Sequence, residues 1–151
     1  MPWRHAMIRT AIVVSAAALA AATAGSAAAS NQLAQMTTPT RNIGCIASTS
    51  SGKARLRCDI RSHTFVPPQQ PNSCDLDYGD SFSLGATGTA RWMCHGDTAL
   101  SGPGGKGFTT VAYGRNWKWG PFTCQVRLTG VTCRNSSGRG FFLSKQSARR
   151  I

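Results

Sequence analysis

All six cysteines of this 151-residue chain lie between positions 45 and 133: Cys45, Cys58, Cys74, Cys94, Cys124 and Cys133. An even set in a short exported chain reads as a disulfide framework, and only folds that bring three pairs together satisfy it. No two of them stand two to four residues apart, so the spacing argues against zinc. The expectation of export comes from the N-terminus. Arg4 and Arg9 precede an apolar run from Ala11 to Ala24, and the small residues Gly25 to Ala29 follow. Charged, then apolar, then small is the secretory pattern, with cleavage expected after Ala29; a start at Met7 gives a tidier signal. The run is mostly alanine and shorter than the roughly 20 residues of a spanning helix, so a membrane anchor fits it less well. The expectation is a secreted protein, extracellular or in the cell envelope, with no stable membrane insertion once the signal is removed.

Cleavage there leaves 122 residues, one domain in size. Residues 30–40 are polar without a clean period and read as a flexible lead-in. Residues 41–146 form the domain, and 147–151 read as a basic, frayed tail. The exported part carries 15 Lys and Arg against five Asp and no Glu. Such a field favours anionic partners, either an anionic polymer or an envelope component. A plainer reading is that the charge keeps a secreted domain soluble.

Strand signals dominate the domain. Ala54, Leu56, Cys58 and Ile60 alternate with Arg55, Arg57, Asp59 and Arg61, the period of a strand with one buried face. Upstream, Ile43, Cys45 and Ala47 share one phase. A two-residue turn at Ser51-Gly52 makes Ile43 face Ile60, Cys45 face Cys58 and Ala47 face Leu56. One register thus satisfies the turn, the apolar face and a Cys45–Cys58 bridge together. A second hairpin pairs Phe82 with Trp92 and Leu84 with Ala90. Residues 108–113 read as a further strand. In a last hairpin, a loop from Arg127 to Gly130 pairs Val126 with Val131 and Cys124 with Cys133, with Gly130 supplying a positive φ. Phe141-Phe-Leu143 reads as a closing strand. Cys74–Cys94 follows by elimination. No segment keeps a 3.6-residue apolar period, so the expected fold is all-β: a small disulfide-stapled sandwich or rolled barrel of short antiparallel hairpins.

The sequence holds no catalytic signature and calls for no metal or cofactor. After cleavage two histidines remain, His63 and His95. With nearby Asp59, Asp97 and cations they would suit a nuclease-like hydrolase, and otherwise they read as surface residues. Asp75, Asp77 and Asp80 form an acidic cluster whose spacing does not match a calcium loop, so pairing with arginines is expected. Tyr113, Arg115, Trp117, Lys118 and Trp119 alternate aromatic with basic. Exposed, that strip would be a binding surface that stacks on sugars or bases; folded in, its tryptophans would be core.

Several stretches together resemble a family of small exported actinobacterial proteins of unassigned function. They are Arg-Asn-Ile-Gly-Cys45, Arg-Cys58-Asp-Ile, Pro67-Pro68, Cys74-Asp-Leu-Asp-Tyr-Gly79, Gly96-Asp-Thr-Ala-Leu100, Tyr113-Gly114, Gly130-Val-Thr-Cys133 and Gly140-Phe-Phe-Leu-Ser144. They span about residues 40–145 and include every cysteine. The resemblance implies a secreted domain and brings no activity with it. It also implies that family members often carry alanine where His95 stands and Gly-His-Gly where this chain has Gly138-Arg-Gly140. The expected function is therefore a non-enzymatic binding or structural module acting at or beyond the envelope. A small hydrolase using His63 or His95 is one alternative, and a protein-binding inhibitor or host-contact factor is another.

Overall fold

The structure is a computed structural model that describes Met1 and residues 32–151. The signal peptide expected over 1–29 lies outside the described residues. The rest forms two β-sheets that share one core, so the sandwich is the alternative realised. Three disulfides staple it: Cys45–Cys58, Cys74–Cys94 and Cys124–Cys133. One 3-10 turn at Pro103–Gly105 is the only helical piece among the described residues.

The first sheet grows from the predicted hairpin. β2 (Ile43–Ser50) and β3 (Lys53–Ile60) pair in the expected register, with Ile43 opposite Ile60, Cys45 opposite Cys58 and Ala47 opposite Leu56. The turn falls at Ser51-Gly52, where both residues take positive φ. β4 (Ser81–Gly85) adds beside β3, and β5 (Arg91–Trp92) beside β4, where Phe82 faces Trp92. On the other edge, β1 (Leu33–Thr37) pairs with β2, and β6 (Thr109–Thr110) lies parallel to β1.

The second sheet is built from the last hairpins. β7 (Asn116–Trp119), β8 (Phe122–Arg127), β9 (Gly130–Arg134), β10 (Gly140–Leu143) and β11 (Ala148–Arg150) follow one another in antiparallel order. Cys124 faces Cys133 and Val126 faces Val131, as expected. Gly130 has φ 142°, and a Cβ there would meet the Leu143 carbonyl oxygen at 2.7 Å.

The inner faces meet through Phe82 and Phe141, whose rings stack at 4.9 Å, and through the sulfurs of Cys58 and Cys133, 3.9 Å apart. Polar ties hold both ends. At one, buried Asn135 after β9 donates to the Gly85 and Gly88 carbonyls of the first sheet. At the other, the Thr64 amide donates to the Lys145 carbonyl at 2.7 Å.

Three expected boundaries need correction. The lead-in is not flexible throughout: Leu33–Thr37 is a strand, because the free edge of β2 offers a backbone ladder and Met36 reaches the core. The terminal residues are not frayed, since Ala148–Arg150 pairs with Leu143–Phe141 and Ile151 exchanges backbone bonds with Gly140. The strand expected over 108–113 shrinks to Thr109–Thr110, and the chain then turns at Ala112, whose carbonyl accepts from the Arg115 amide.

Candidate functional site

Charge divides this molecule by sequence position. All five aspartates lie between residues 59 and 97, whereas residues 98–151 hold nine Lys and Arg and no acidic side chain. Three of the five aspartates, Asp59, Asp80 and Asp97, are engaged internally. Asp59, its side chain 1% exposed, accepts both Nε and Nη2 of Arg57, the Ser81 hydroxyl and the Ala99 amide. Arg57 also donates to the Asp97 carboxylate and, at 2.7 Å, to the Asp97 carbonyl. Burial disfavours the Arg57 charge, but both aspartates outweigh that and hold its pKa above the ordinary value. The same guanidinium draws the Asp97 carboxyl below the usual range.

His95 is buried rather than a surface residue, because residues 77 and 95 form a bridge that folds its ring inward. Nδ1 lies 2.7 Å from the Asp97 carbonyl and Nε2 lies 2.8 Å from the Asp80 carboxylate. Both partners are acceptors, so the arrangement favours the charged ring, the form that can donate from both nitrogens. Burial opposes that charge; the Asp80 hydrogen bond and the nearby carboxylates prevail and raise the pKa above 6.5. The acidic cluster therefore does not pair with arginine as expected: Asp80 pairs with His95, while Asp59 and Asp97 hold Arg57. His63 sits apart from this network, stacked on Phe65 with Nδ1 donating to the Phe65 carbonyl. Among the described residues, the groups close enough to share a metal are Cys45, Cys58 and Cys133, all held in disulfides.

The second group of charges is free. None of the nine cations after residue 98 enters an ion pair among the described residues. The register arranges several on the outer face of the second sheet. Lys118, Thr123 and Arg134 form one cross-strand row. Asn116, Gln125, Thr132, Phe142 and Arg149 form the next. Arg149 lies over the Phe142 ring, 4.4 Å from its centroid. The face thus mixes hydroxyls and amides with Lys118 and Arg149 on the edge strands and Arg134 on the central strand.

Alternation splits the aromatic–basic strip. Trp117 and Trp119 are half-buried against the core, while Arg115 and Lys118 are exposed. Tyr113 lies in the preceding loop and lines a cleft with Arg127 and Lys145. Sequence reasoning missed Arg127, Arg134, Lys145 and Arg149, because each sits alone in the chain and only the sheet register brings them together. Their one sequence signal was the absence of any acid beyond Asp97.

A protein-family model, described as a family of unknown function (DUF6636), matches residues 12–150. Neither a curated protein nor a solved structure matches the chain.

Proposed function

The chain belongs to this family of unknown function, and from that premise we propose that it is an exported, non-enzymatic module that holds an anionic polymer at or beyond the cell envelope. One observation carries the reading: Lys118, Arg134 and Arg149 stand on the outer face of the second sheet, and no acidic side chain follows Asp97 in the sequence. Cations clustered without counter-charges attract polyanions through the release of condensed counterions. The outer face suits a polymer that also carries hydroxyl groups, since Thr123, Gln125 and Thr132 lie between Lys118, Arg134 and Arg149. Three disulfides agree with an oxidising destination. No helix among the described residues is long and apolar enough to cross a membrane. The actinobacterial source belongs to the same reading and rests on the motifs quoted above.

The hydrolase alternative gains little from the histidines. Both nitrogens of His95 face protein oxygens, and its side chain is 4% exposed. Retention on immobilised heparin tests the binding reading. The chain is expected to bind at about 50 mM salt and to elute as salt rises, with affinity falling linearly on a log–log plot. Passage without retention at low salt would overturn it.

A further inference from the structure

A cleft of about 340 Å³ opens where the sandwich ends, between the β1–β2 turn of the first sheet and the β8–β9 and β10–β11 turns of the second. That volume lies at the small end of ligand pockets, roughly 300–1,000 Å³. We propose that this cleft binds a single acidic sugar: a polyhydroxylated ring that carries one oxyanion. The site is distinct from the outer sheet face and stands on its own observations.

The first is charge. Arg127 and Lys145 line the cleft, and no carboxylate does. Nη1 of Arg127 donates to the carbonyls of Arg115, at 3.3 Å, and Val126, at 3.0 Å. Those bonds fix the guanidinium while leaving its other donors without protein partners among the described residues. A fixed guanidinium favours carboxylate, sulfate or phosphate over a neutral group, because a charge-assisted bond is about twice as strong as a neutral one.

The second is the mixture of walls. The hydroxyls of Ser62, Tyr113 and Thr129 have no hydrogen-bond partner among the described residues and line the same space. Leu128 is 84% exposed at the tip of the β8–β9 turn, beside the half-open Tyr113 ring. Hydroxyls and a cation together with an apolar patch match a sugar, which has hydroxyls on its rim and C–H groups on its face. A bare inorganic anion would leave the apolar part unused.

The third is that the walls are already in place. The Asn42 side chain is bracketed by the Ser62 backbone, with both bonds at 3.0 Å. The Lys145 carbonyl is held by the Thr64 amide at 2.7 Å, and the Ser144 and Ser147 backbones close the β10–β11 turn at 2.8 Å. Little ordering remains to oppose a ligand.

Titration followed by NMR tests the proposal, with D-glucuronate, glucose 6-phosphate, glucose and inorganic phosphate as probes. Both acidic sugars are expected to saturate shifts of Tyr113, Leu128 and Thr129 with Kd on the order of 1 mM or tighter. Comparing the two acids separates a carboxylate from a phosphate source. Arg127→Gln is expected to weaken them at least tenfold. Lys145→Gln, which removes no bond that holds the fold, is expected to weaken them several-fold. The triple variant Lys118→Gln, Arg134→Gln, Arg149→Gln, which touches no residue of the cleft lining, is expected to keep both acidic-sugar titrations while its heparin affinity falls, so that failure here and failure of the sheet-face reading are told apart. No saturable shift with either acidic sugar would overturn the proposal. So would glucose binding as well as glucuronate, inorganic phosphate binding as well as glucose 6-phosphate, or both variants binding like the parent chain.

Discussion

Asp59 shows how a single residue departs from its local pattern. It occupies an outward position in a strictly alternating strand, yet its side chain is 1% exposed. The segment from Asp97 to Ser101 folds over that face and supplies the Ala99 amide at 2.7 Å. Covered by this loop, the carboxylate depends on Arg57. Arg57→Ala is expected to lower stability by about 3–5 kcal/mol in chemical denaturation, because it leaves a buried charge alone. Adding Asp59→Asn to that variant should recover part of the loss; no recovery would mean that the charge is not the cause. His95 carries the pH dependence. Its folded pKa is raised above the unfolded value of 6.5. Its contribution is therefore fully present below that value and fades as pH rises through the folded pKa. Melting temperature is expected to fall as pH is taken upward from 6.5, and His95→Gln should flatten that slope. A parent profile that is level across the same range would contradict the assignment.

Elements were legible where two local signals agreed. The β2–β3 hairpin had a turn, an apolar face and a cysteine pair that all demanded one register, and the structure has that register. The β8–β9 hairpin was fixed in the same way by Gly130, Val126, Val131 and the cysteines. β1 and β11 were illegible because neither has an apolar period. Each exists because a neighbouring strand leaves backbone donors and acceptors that need partners. The cleft was invisible for a related reason: its walls come from separate turns that share no motif. The disulfides also differ by element. Cys45–Cys58 and Cys124–Cys133 are wholly buried inside hairpins, whereas Cys94 is exposed in a loop. Graded reduction followed by alkylation and mass mapping should open Cys74–Cys94 first, since exchange needs access to a sulfur. Early loss of either hairpin bridge would contradict that order.

At the scale of the molecule, the two sheets have different electrostatic roles. In the first, Arg57 joins Asp59 and Asp97 in a network under the segment from Asp97 to Ser101, while Arg41, Lys53, Arg55, Arg61 and Arg91 enter no ion pair among the described residues. In the second, cations stand on the outer face and at the edges. Lys118 and Arg149 on edge strands also discourage pairing with another sheet. That accounts for charge at the edges but not for Arg134 in the central strand β9, nor for the lack of any acid to balance it. The sequence revealed the excess of charge and the lack of acid after Asp97; the alignment of Lys118, Arg134 and Arg149 on one outer face required the fold. The most direct test compares the salt dependence of heparin affinity for the parent chain and two triple variants. One removes Lys118, Arg134 and Arg149 from the second sheet, and the other removes Arg41, Arg55 and Arg91 from the first. If the second sheet is the contact, the first variant loses about 2–3 units of log–log slope while the second stays near the parent. Equal loss in both variants, or none in either, would contradict it.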